Sequence, residues 1–380
     1  MRIDAPSGRS APTEVVKSCA SLIRDPVLRL RFLRRAMIAR PKPGQRKWRP
    51  ATVLPALLLL IGASVSAPTL LRRPAHQPQS VPRAGPLRQA QPTGVVPRVW
   101  LVDQTPDAEL YSNGLRIERQ FAVAGKPRLY RAFARAAADG SRWRWRAEPA
   151  GIVFHNSESD LVPFEPNQNG LLKEHGLGLL NYARRHECYH FVVDRFGRVH
   201  RIVEEAAKAD HAGHSVWADA DWVYVNLNAS FLGVCFEAQT RPGNAISPAQ
   251  IHAGNVLVEM LRSRYDIPAA NCVTHAQVSV NPRNFRVGYH TDWATGFPFA
   301  EMGLPDNYEL PPPSLLLFGF EADSSFVDLT GTGLHKALAV AQEQVRQAAA
   351  TRQIPVARYL AGLRKSYAAI AAAAGGPTGM

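Results

Sequence analysis

The sequence predicts an α/β domain in which a mixed central β-sheet is flanked by helices. From residue 150 to about residue 300, short apolar runs of strand length alternate with longer helix-like runs. Residues 231–236 are apolar on both faces, which is typical of a central strand. A composition of 46% hydrophobic and 20% charged residues is globular, and it excludes a wholly disordered chain or a polytopic membrane protein.

The elements of this domain follow one another in a regular order. Ser247 to Gln250 form a capping box with proline at the first helical position, which predicts that a helix begins there. Asp194 to Gly197 have the composition of a hairpin turn. The predicted elements are a strand at 151–154, a helix at 171–186, hairpin strands at 189–193 and 198–203, a central strand at 231–236, a helix from 248 to about 265, and a strand at 271–274.

Charge is distributed unevenly along the chain. The formal net charge of +14 divides into +10 over residues 1–50, +8 over residues 51–150 and −4 over residues 151–380. A nucleic-acid-binding protein normally carries its basic residues on the folded domain that contacts phosphate, so we expect no nucleic-acid partner. Ten of the twelve histidines lie between His155 and His290. This places the candidate chemistry in residues 151–380, the segment with a net negative charge.

Residues 51–67 form a strongly apolar run without charges, preceded by a basic cluster. This layout is typical of a signal peptide or a membrane anchor, with residues 1–50 as a cytoplasmic leader and Met37 as an alternative start. Cleavage and retention both remain open, and a buried core helix is the other interpretation of the run. We therefore expect export to the periplasm or cell envelope, with inner-membrane anchoring if the run is uncleaved.

Three further segments surround the α/β domain. Residues 68–97 are rich in proline and read as an extended linker. Residues 98–147 predict a small β-rich lead-in, where arginines 142, 144 and 146 alternate with two tryptophans; this face either contacts an anionic polymer or is a solvated strand face. Residues 311–380 predict alanine-rich helices that form either a docked hairpin or a partner-binding appendage.

Two apolar strands each stop at a histidine, namely His155 and His275. Strand ends are rigid and neutral imidazole is a good zinc ligand, so this pattern favours a metal site. A catalytic zinc ion needs a third protein ligand, for which Asp292 is the best candidate. His290 is the alternative ligand, with Asp292 then as its hydrogen-bond partner.

Several short motifs occur in a specific order along the domain. They are Ile152-Val153-Phe154-His155, Tyr189-His190-Phe191, His211-Ala212-Gly213, the stretch from Asn228 to Glu237, and Thr274-His275. Together they resemble the zinc-dependent N-acetylmuramoyl-L-alanine amidases, a family related to peptidoglycan recognition proteins and amidase-type phage lysozymes. The resemblance covers about residues 148–300, and we place the domain boundaries at 148–310.

The resemblance implies a role for each matching residue. His155, His275 and Asp292 would bind Zn²⁺. Tyr189 would polarise the scissile carbonyl, Glu237 would act as the acid and base beside the attacking water, and His290 stands where the family commonly has a lysine. The substrate groove would be lined by His211, Asn228 and His190.

The sequence departs from the family pattern around the third ligand. The family usually follows this ligand with Pro-Gly, whereas this chain has Trp293-Ala294. The stretch from His275 to Asp292 is also longer than is common, with an insertion around residues 281–285.

The function that follows is hydrolysis of the amide between N-acetylmuramic acid and L-alanine by zinc-activated water, with peptidoglycan or muropeptides as partners. Glu237 follows apolar residues, so we expect burial to raise its pKa. Two alternatives remain open: a non-catalytic peptidoglycan-binding protein with the same fold, and a zinc amidase that acts on another acylated peptide.

Overall fold

The computed structural model describes residues 96–137, 140–240 and 246–374. The predicted leader, the apolar run at 51–67 and nearly all of the proline-rich linker lie outside these residues. Among the helices that are described, none is long and apolar enough to cross a membrane.

The described chain contains sixteen strands and seven α-helices. The strands are β1 (Leu101–Gln104), β2 (Ala108–Tyr111), β3 (Arg116–Glu118), β4 (Lys126–Pro127), β5 (Tyr130–Ala134), β6 (Trp143–Arg146), β7 (Gly151–Asn156), β8 (Phe191–Val193), β9 (Val199–Arg201), β10 (Ala207–Lys208), β11 (Val216–Ala218), β12 (Trp222–Val225), β13 (Phe231–Phe236), β14 (Cys272–Thr274), β15 (Val280–Asn281) and β16 (Arg286–Val287). The helices are α1 (Asn169–Arg185), α2 (Pro248–Tyr265), α3 (His275–Val278), α4 (Pro313–Phe318), α5 (Ser324–Val327), α6 (Thr332–Thr351) and α7 (Val356–Ala374).

The main sheet has eight strands in the order β1-β2-β3-β9-β8-β13-β7-β14. Its strands β8, β13, β7 and β14 run parallel, whereas β1-β2-β3 and β8-β9 pair antiparallel. The predicted mixed sheet flanked by helices is therefore confirmed. Strand β13 lies in the interior of the sheet, and all six of its residues are buried, as its uninterrupted apolar sequence predicts.

The turns and caps form where the sequence predicts them. Asp194 Oδ1 accepts from the backbone N–H groups of Phe196 and Arg198, and Gly197 supplies a positive φ of 78°, which closes the β8–β9 hairpin. At the start of α2, Ser247 Oγ accepts from the Gln250 N–H and Gln250 Oε1 accepts from the Ser247 N–H. This is the predicted capping box, and it fixes where α2 begins.

The lead-in does not fold as one unit. Strands β1 to β3 extend the main sheet, because β3 pairs in parallel with β9. Strands β5 and β6 instead join β11 and β12 in a separate four-stranded sheet with the order β11-β12-β5-β6. One face of this second sheet packs Trp217 and Tyr224 against Val153 and Phe231 of the main sheet.

The C-terminal helices pack on the body of the domain. The ring of Tyr367 contacts those of Phe318 and Phe320 edge-on, and Phe285 of the predicted insertion contacts both Phe320 and Tyr367. These side chains belong to the large core that also contains residues of β7 and β13. The aromatic cluster therefore connects the end of the chain to the loop that precedes Asp292.

Candidate active site

The two predicted histidine ligands lie at the same edge of the main sheet. His155 is the penultimate residue of β7, and His275 directly follows β14, which is a parallel neighbour of β7. The carboxyl ends of parallel strands meet at one edge, so the two imidazole rings come within 4.4 Å of each other, centroid to centroid. Asp292 completes the group: the ligand atoms of the three residues lie within 4.8 Å of one another, and all three are buried.

Hydrogen bonds determine which nitrogen of His155 faces this group. His211 Nε2 lies 3.2 Å from the carbonyl oxygen of Phe231, which only accepts, so a neutral His211 ring carries its hydrogen on Nε2. Burial, followed by the neighbouring His155, holds the pKa of His211 well below its ordinary range and keeps the ring neutral. His211 Nδ1 is then an acceptor, 3.1 Å from His155 Nε2. His155 must therefore donate from Nε2, which leaves its Nδ1 as a lone pair.

The same reasoning applies to His275. Its Nε2 lies 3.4 Å from the carbonyl oxygen of Ala212, so in a neutral ring the hydrogen resides on Nε2 and the lone pair on Nδ1. That Nδ1 lies 2.8 Å from Asp292 Oδ1, and His155 Nδ1 lies 3.2 Å from Asp292 Oδ2. In their neutral forms, both rings thus direct lone pairs at the two oxygens of one carboxylate.

The donor set fits a zinc ion. Burial and the nearby His275 lower the pKa of His155 to about 4, so this ring is neutral at pH 7. Burial raises the pKa of Asp292, but the charge of His275 in its protonated form and hydrogen bonds donated by both histidines hold it below its usual range, so the carboxylate is ionised when positive charge lies beside it. Ligands bound tetrahedrally at about 2.1 Å are separated by about 3.4 Å; here the Asp292 oxygens lie 2.8 and 3.2 Å from the two Nδ1 atoms, and all the ligand atoms lie within 4.8 Å of one another. Two imidazole nitrogens and an ionised carboxylate that face one another need a positive charge between them, which is either a shared proton or a metal ion such as Zn²⁺.

Tyr189 lies beside the candidate metal ligands. Its ring centroid is 5.1 Å from that of His155, and its backbone has the left-handed φ of 63°. A tyrosine with this φ is unusual, and such strain is frequent at functional sites. Burial raises the pKa of Tyr189 well above its ordinary value, so the side chain keeps its hydroxyl proton as a donor.

Glu237 follows β13, the other parallel neighbour of β7, where Cys235 pairs in register with His155. Its carboxylate accepts from the Arg195 backbone N–H (3.2 Å) and lies near Gly176 of α1. Burial is the main cause that raises the pKa of Glu237, and the Arg195 hydrogen bond offsets part of the effect. A carboxyl group with a raised pKa is suited to both accept and donate a proton near neutral pH.

His290 lies at the rim of the site. Its exposed ring stacks on His275 at 4.7 Å with an interplanar angle of 17°, and the exposed Tyr289 contacts its edge. The group that offers three converging ligand atoms contains Asp292 and not His290. Trp293, which replaces the family's proline, has a φ of 58° and packs its buried ring on Phe297.

Two residues predicted to line a substrate groove have other surroundings. His190 has no exposed surface: its Nδ1 accepts from the Gly233 N–H, and its Nε2 lies 3.1 Å from the Ala207 carbonyl oxygen. Asn228 Oδ1 accepts from three successive backbone N–H groups, those of His211, Ala212 and Gly213. Asn228 thus holds the loop that presents His211, and His211 itself orients His155 from behind.

Sequence reasoning missed Arg195, whose backbone contacts Glu237. The Arg195 side chain donates to the carbonyl oxygen of Val162 and covers the ring of Phe164 at 4.1 Å. A role based on a main-chain N–H leaves no side-chain signal, so only the hairpin turn around Arg195 could have indicated it.

Comparison with known proteins gives one family. Residues 145–292 match the family model described as N-acetylmuramoyl-L-alanine amidase. No curated protein matches the sequence significantly.

Several solved structures are similar to parts of the chain. The amidase LysC from Clostridium intestinale is 18% identical with a TM-score of 0.29, and the match covers 49% of this chain and 93% of that one. AmiD from E. coli, solved with anhydro-N-acetylmuramic acid-L-Ala-D-gamma-Glu-L-Lys, is 22% identical with a TM-score of 0.28, covering 39% of this chain and 57% of that one. AMPDH3 from Pseudomonas aeruginosa, in complex with anhydromuramic pentapeptide, is 20% identical with a TM-score of 0.30, covering 40% and 58%.

Proposed function

Residues 145–292 are a domain of the N-acetylmuramoyl-L-alanine amidase family, and we propose that it hydrolyses the amide between N-acetylmuramic acid and L-alanine with zinc held by His155, His275 and Asp292. The observation that carries the zinc proposal is the convergence of the Nδ1 atoms of His155 and His275 on the two oxygens of one carboxylate, that of Asp292. Zinc in such a site supplies Lewis acidity and lowers the pKa of water to about 7.

The remaining residues perform the proton transfers and position the substrate. Tyr189 keeps its hydroxyl proton and lies beside His155, so it donates to the carbonyl oxygen of the scissile amide as negative charge develops there. His290, exposed above His275, reaches the same oxygen from the rim.

Glu237 accepts the proton of the attacking water and returns a proton to the leaving amine of L-alanine. The Arg195 N–H fixes the orientation of its carboxylate, and burial keeps the protonated form accessible. The presence of this acid–base residue together with all three ligands favours the enzyme over a binding protein of the same fold.

The direct test incubates the purified chain with a soluble muropeptide and with cell-wall sacculi, with and without a zinc chelator. We expect equal release of muramyl lactyl carboxylate and L-alanine amino termini, lost on chelation and restored by added zinc. The matched variant for the metal site is Asp292→Asn, which keeps the side-chain volume but removes the charge of a proposed ligand. Binding of muropeptide without release of either product would contradict the proposal.

Export is a separate proposal that depends on residues 51–67 and their basic flank. Muropeptides and sacculi are accessible in the cell envelope, so an exported domain would meet its substrate there. A reporter that is active only outside the cytoplasm, fused after residue 75, should be active; an inactive reporter on a stably produced fusion would contradict export.

A further inference from the structure

Tyr289 presents an exposed aromatic ring beside the candidate metal site. The residue is 53% exposed, and its ring meets that of His290 edge to face at 4.9 Å with an interplanar angle of 82°. His290 in turn stacks on His275, one of the proposed zinc ligands, at 4.7 Å. A single exposed aromatic residue on a surface needs no explanation, but this one is linked to the metal site through two ring contacts.

The backbone on both sides of Tyr289 is fixed. The Gly288 N–H donates to the carbonyl oxygen of Ser279, and the His290 N–H donates to Ser279 Oγ, both at 2.9 Å. Ser279 is fully buried, and its own N–H donates to the carbonyl oxygen of His275. The point from which the Tyr289 side chain extends is therefore fixed relative to the metal site, which leaves less ordering for a ligand to impose.

The order of the elements along the sheet edge gives a bound substrate a direction. Strands β13 and β14 lie on opposite sides of β7. Glu237 follows β13, and His275 follows β14. The segment that carries Tyr289 is bonded to Ser279, at the end of the short helix that begins with His275, so it lies on the β14 side. Glu237 and Tyr289 therefore lie on opposite sides of the β7 end that carries His155.

The two halves of the scissile amide then point in different directions. In the proposed reaction, Glu237 returns a proton to the leaving amine of L-alanine, so the peptide lies on the β13 side. The acyl half extends the other way, toward His275 and Tyr289. In N-acetylmuramic acid a single lactyl ether joins the scissile carbonyl to the sugar, which brings the pyranose ring close to this rim.

We propose that Tyr289 determines specificity for the acyl half of the substrate, by packing its ring against the CH-rich face of the N-acetylmuramyl pyranose. A tyrosine ring suits this position because its body is apolar while its hydroxyl stays in water. The contact favours muramyl peptides over other acylated peptides. This inference rests on the proposed function, because the action of Glu237 on the amine sets the direction of the substrate.

The test compares two soluble substrates cleaved by the full zinc-loaded chain. One is N-acetylmuramyl-L-alanyl-D-isoglutamine, and the other is the same dipeptide acylated by the methyl ether of lactic acid, which lacks the sugar. We expect Tyr289→Ala to raise KM for the muramyl substrate about tenfold with kcat changed by less than about twofold, because the lost contact is the same in the bound substrate and the transition state. Both constants for the sugar-free substrate should equal those of the parent chain.

Two further variants serve as controls. Tyr289→Phe keeps the ring and should keep the parent KM. Tyr182→Ala removes a tyrosine of similar exposure, 51%, from α1 and should leave both substrates unaffected. An unchanged KM of Tyr289→Ala for the muramyl substrate overturns the proposal. An equal loss on both substrates also overturns it, because Tyr289 would then support the loop before Asp292 and not contact the sugar.

Failure of the proposed function gives a different result, in which the parent chain releases no L-alanine amino terminus from either substrate. The contact with the sugar is then measured by saturation-transfer NMR on the muramyl compound with chelator present. Transfer to the sugar protons from the parent chain but not from Tyr289→Ala supports the proposal. Equal transfer from both chains, or none from the parent, overturns it.

Discussion

At the scale of single residues, hydrogen bonds behind His155 orient it within the proposed metal site. The carbonyl oxygen of Phe231 fixes the tautomer of His211, and His211 fixes that of His155. Partners of this kind raise the basicity of a ligating nitrogen and hold its ring in place.

His211→Ala should therefore lower zinc affinity about 10- to 100-fold, the usual cost of losing such a partner. His211→Gln, which can still accept from His155 and donate to Phe231, should lose less. Competition with a chromophoric chelator measures the affinity directly, and His214→Ala in the same loop is the control because its side chain is exposed. An unchanged affinity for His211→Ala would mean that His155 is oriented by packing alone.

Glu237→Gln separates catalysis from metal binding. The amide still accepts from the Arg195 N–H but cannot cycle a proton, so activity should fall about 10²- to 10⁴-fold while zinc remains bound.

The same variant predicts a pH-dependent change in stability. Burial raises the pKa of Glu237 above its ordinary value of 4.5, so the folded state binds this proton more tightly than the unfolded state. The wild type therefore loses stability as pH rises from 4.5 through the raised pKa, and the neutral Gln does not. Urea unfolding at several pH values should show Glu237→Gln more stable at neutral pH and equal to the wild type below 4.5. A variant less stable at neutral pH would show that the ionised carboxylate stabilises the fold.

At the scale of elements, the loop from Asp210 to Ser215 connects the second sheet to the metal site. Asn228 organises this loop through three backbone N–H groups, and its Nδ2 donates to Asp210 Oδ1 at 3.3 Å.

Asn228→Ala leaves three backbone donors without an acceptor and should cost about 2 kcal/mol of unfolding free energy. Asn228→Asp keeps the acceptor but places a second carboxylate beside Asp210, so its cost should be smaller and should fall as salt is added. Equilibrium urea unfolding at low and high salt measures both. Equal losses for the two variants would contradict the role of Oδ1 as the common acceptor.

The sequence was informative where structure depends on neighbouring residues. The β8–β9 turn, the capping box of α2 and the buried strand β13 each require only a few consecutive side chains. The second sheet was not predicted because β5 pairs with β12, about 90 residues later in the chain. The surroundings of His190 were missed for a related reason: the Gly233 and Ala207 groups that bury it are distant in sequence.

At the scale of the whole molecule, the C-terminal helices share a core with the amidase domain. Tyr367 and Ile370 of α7 are buried, and Tyr367 contacts Phe285 of the loop between the second and third ligands.

Tyr367→Ala should lower the unfolding free energy by about 3 kcal/mol, as large-to-small changes in a core do. Val356→Ala, at an exposed position of the same helix, should change it by less than about 0.5 kcal/mol. Thermal unfolding followed by circular dichroism should show one cooperative transition for both. A separate early transition in Tyr367→Ala would mean that α7 unfolds independently of the sheet.

The contact between Gly288 and Phe326 ties the loop before Asp292 to residues that lie beyond the predicted domain boundary at 310. A Cβ atom on Gly288 would lie 2.1 Å from Phe326 Cδ2, so the backbone four residues before Asp292 rests directly on a ring that lies beyond residue 310. A fragment that ends at residue 292, where the family match ends, or at residue 310 would keep all three proposed zinc ligands. It would lose the Phe326 ring on which Gly288 rests. We therefore expect that a fragment able to hold the proposed zinc ion as tightly as the full chain must extend into the helices beyond residue 310.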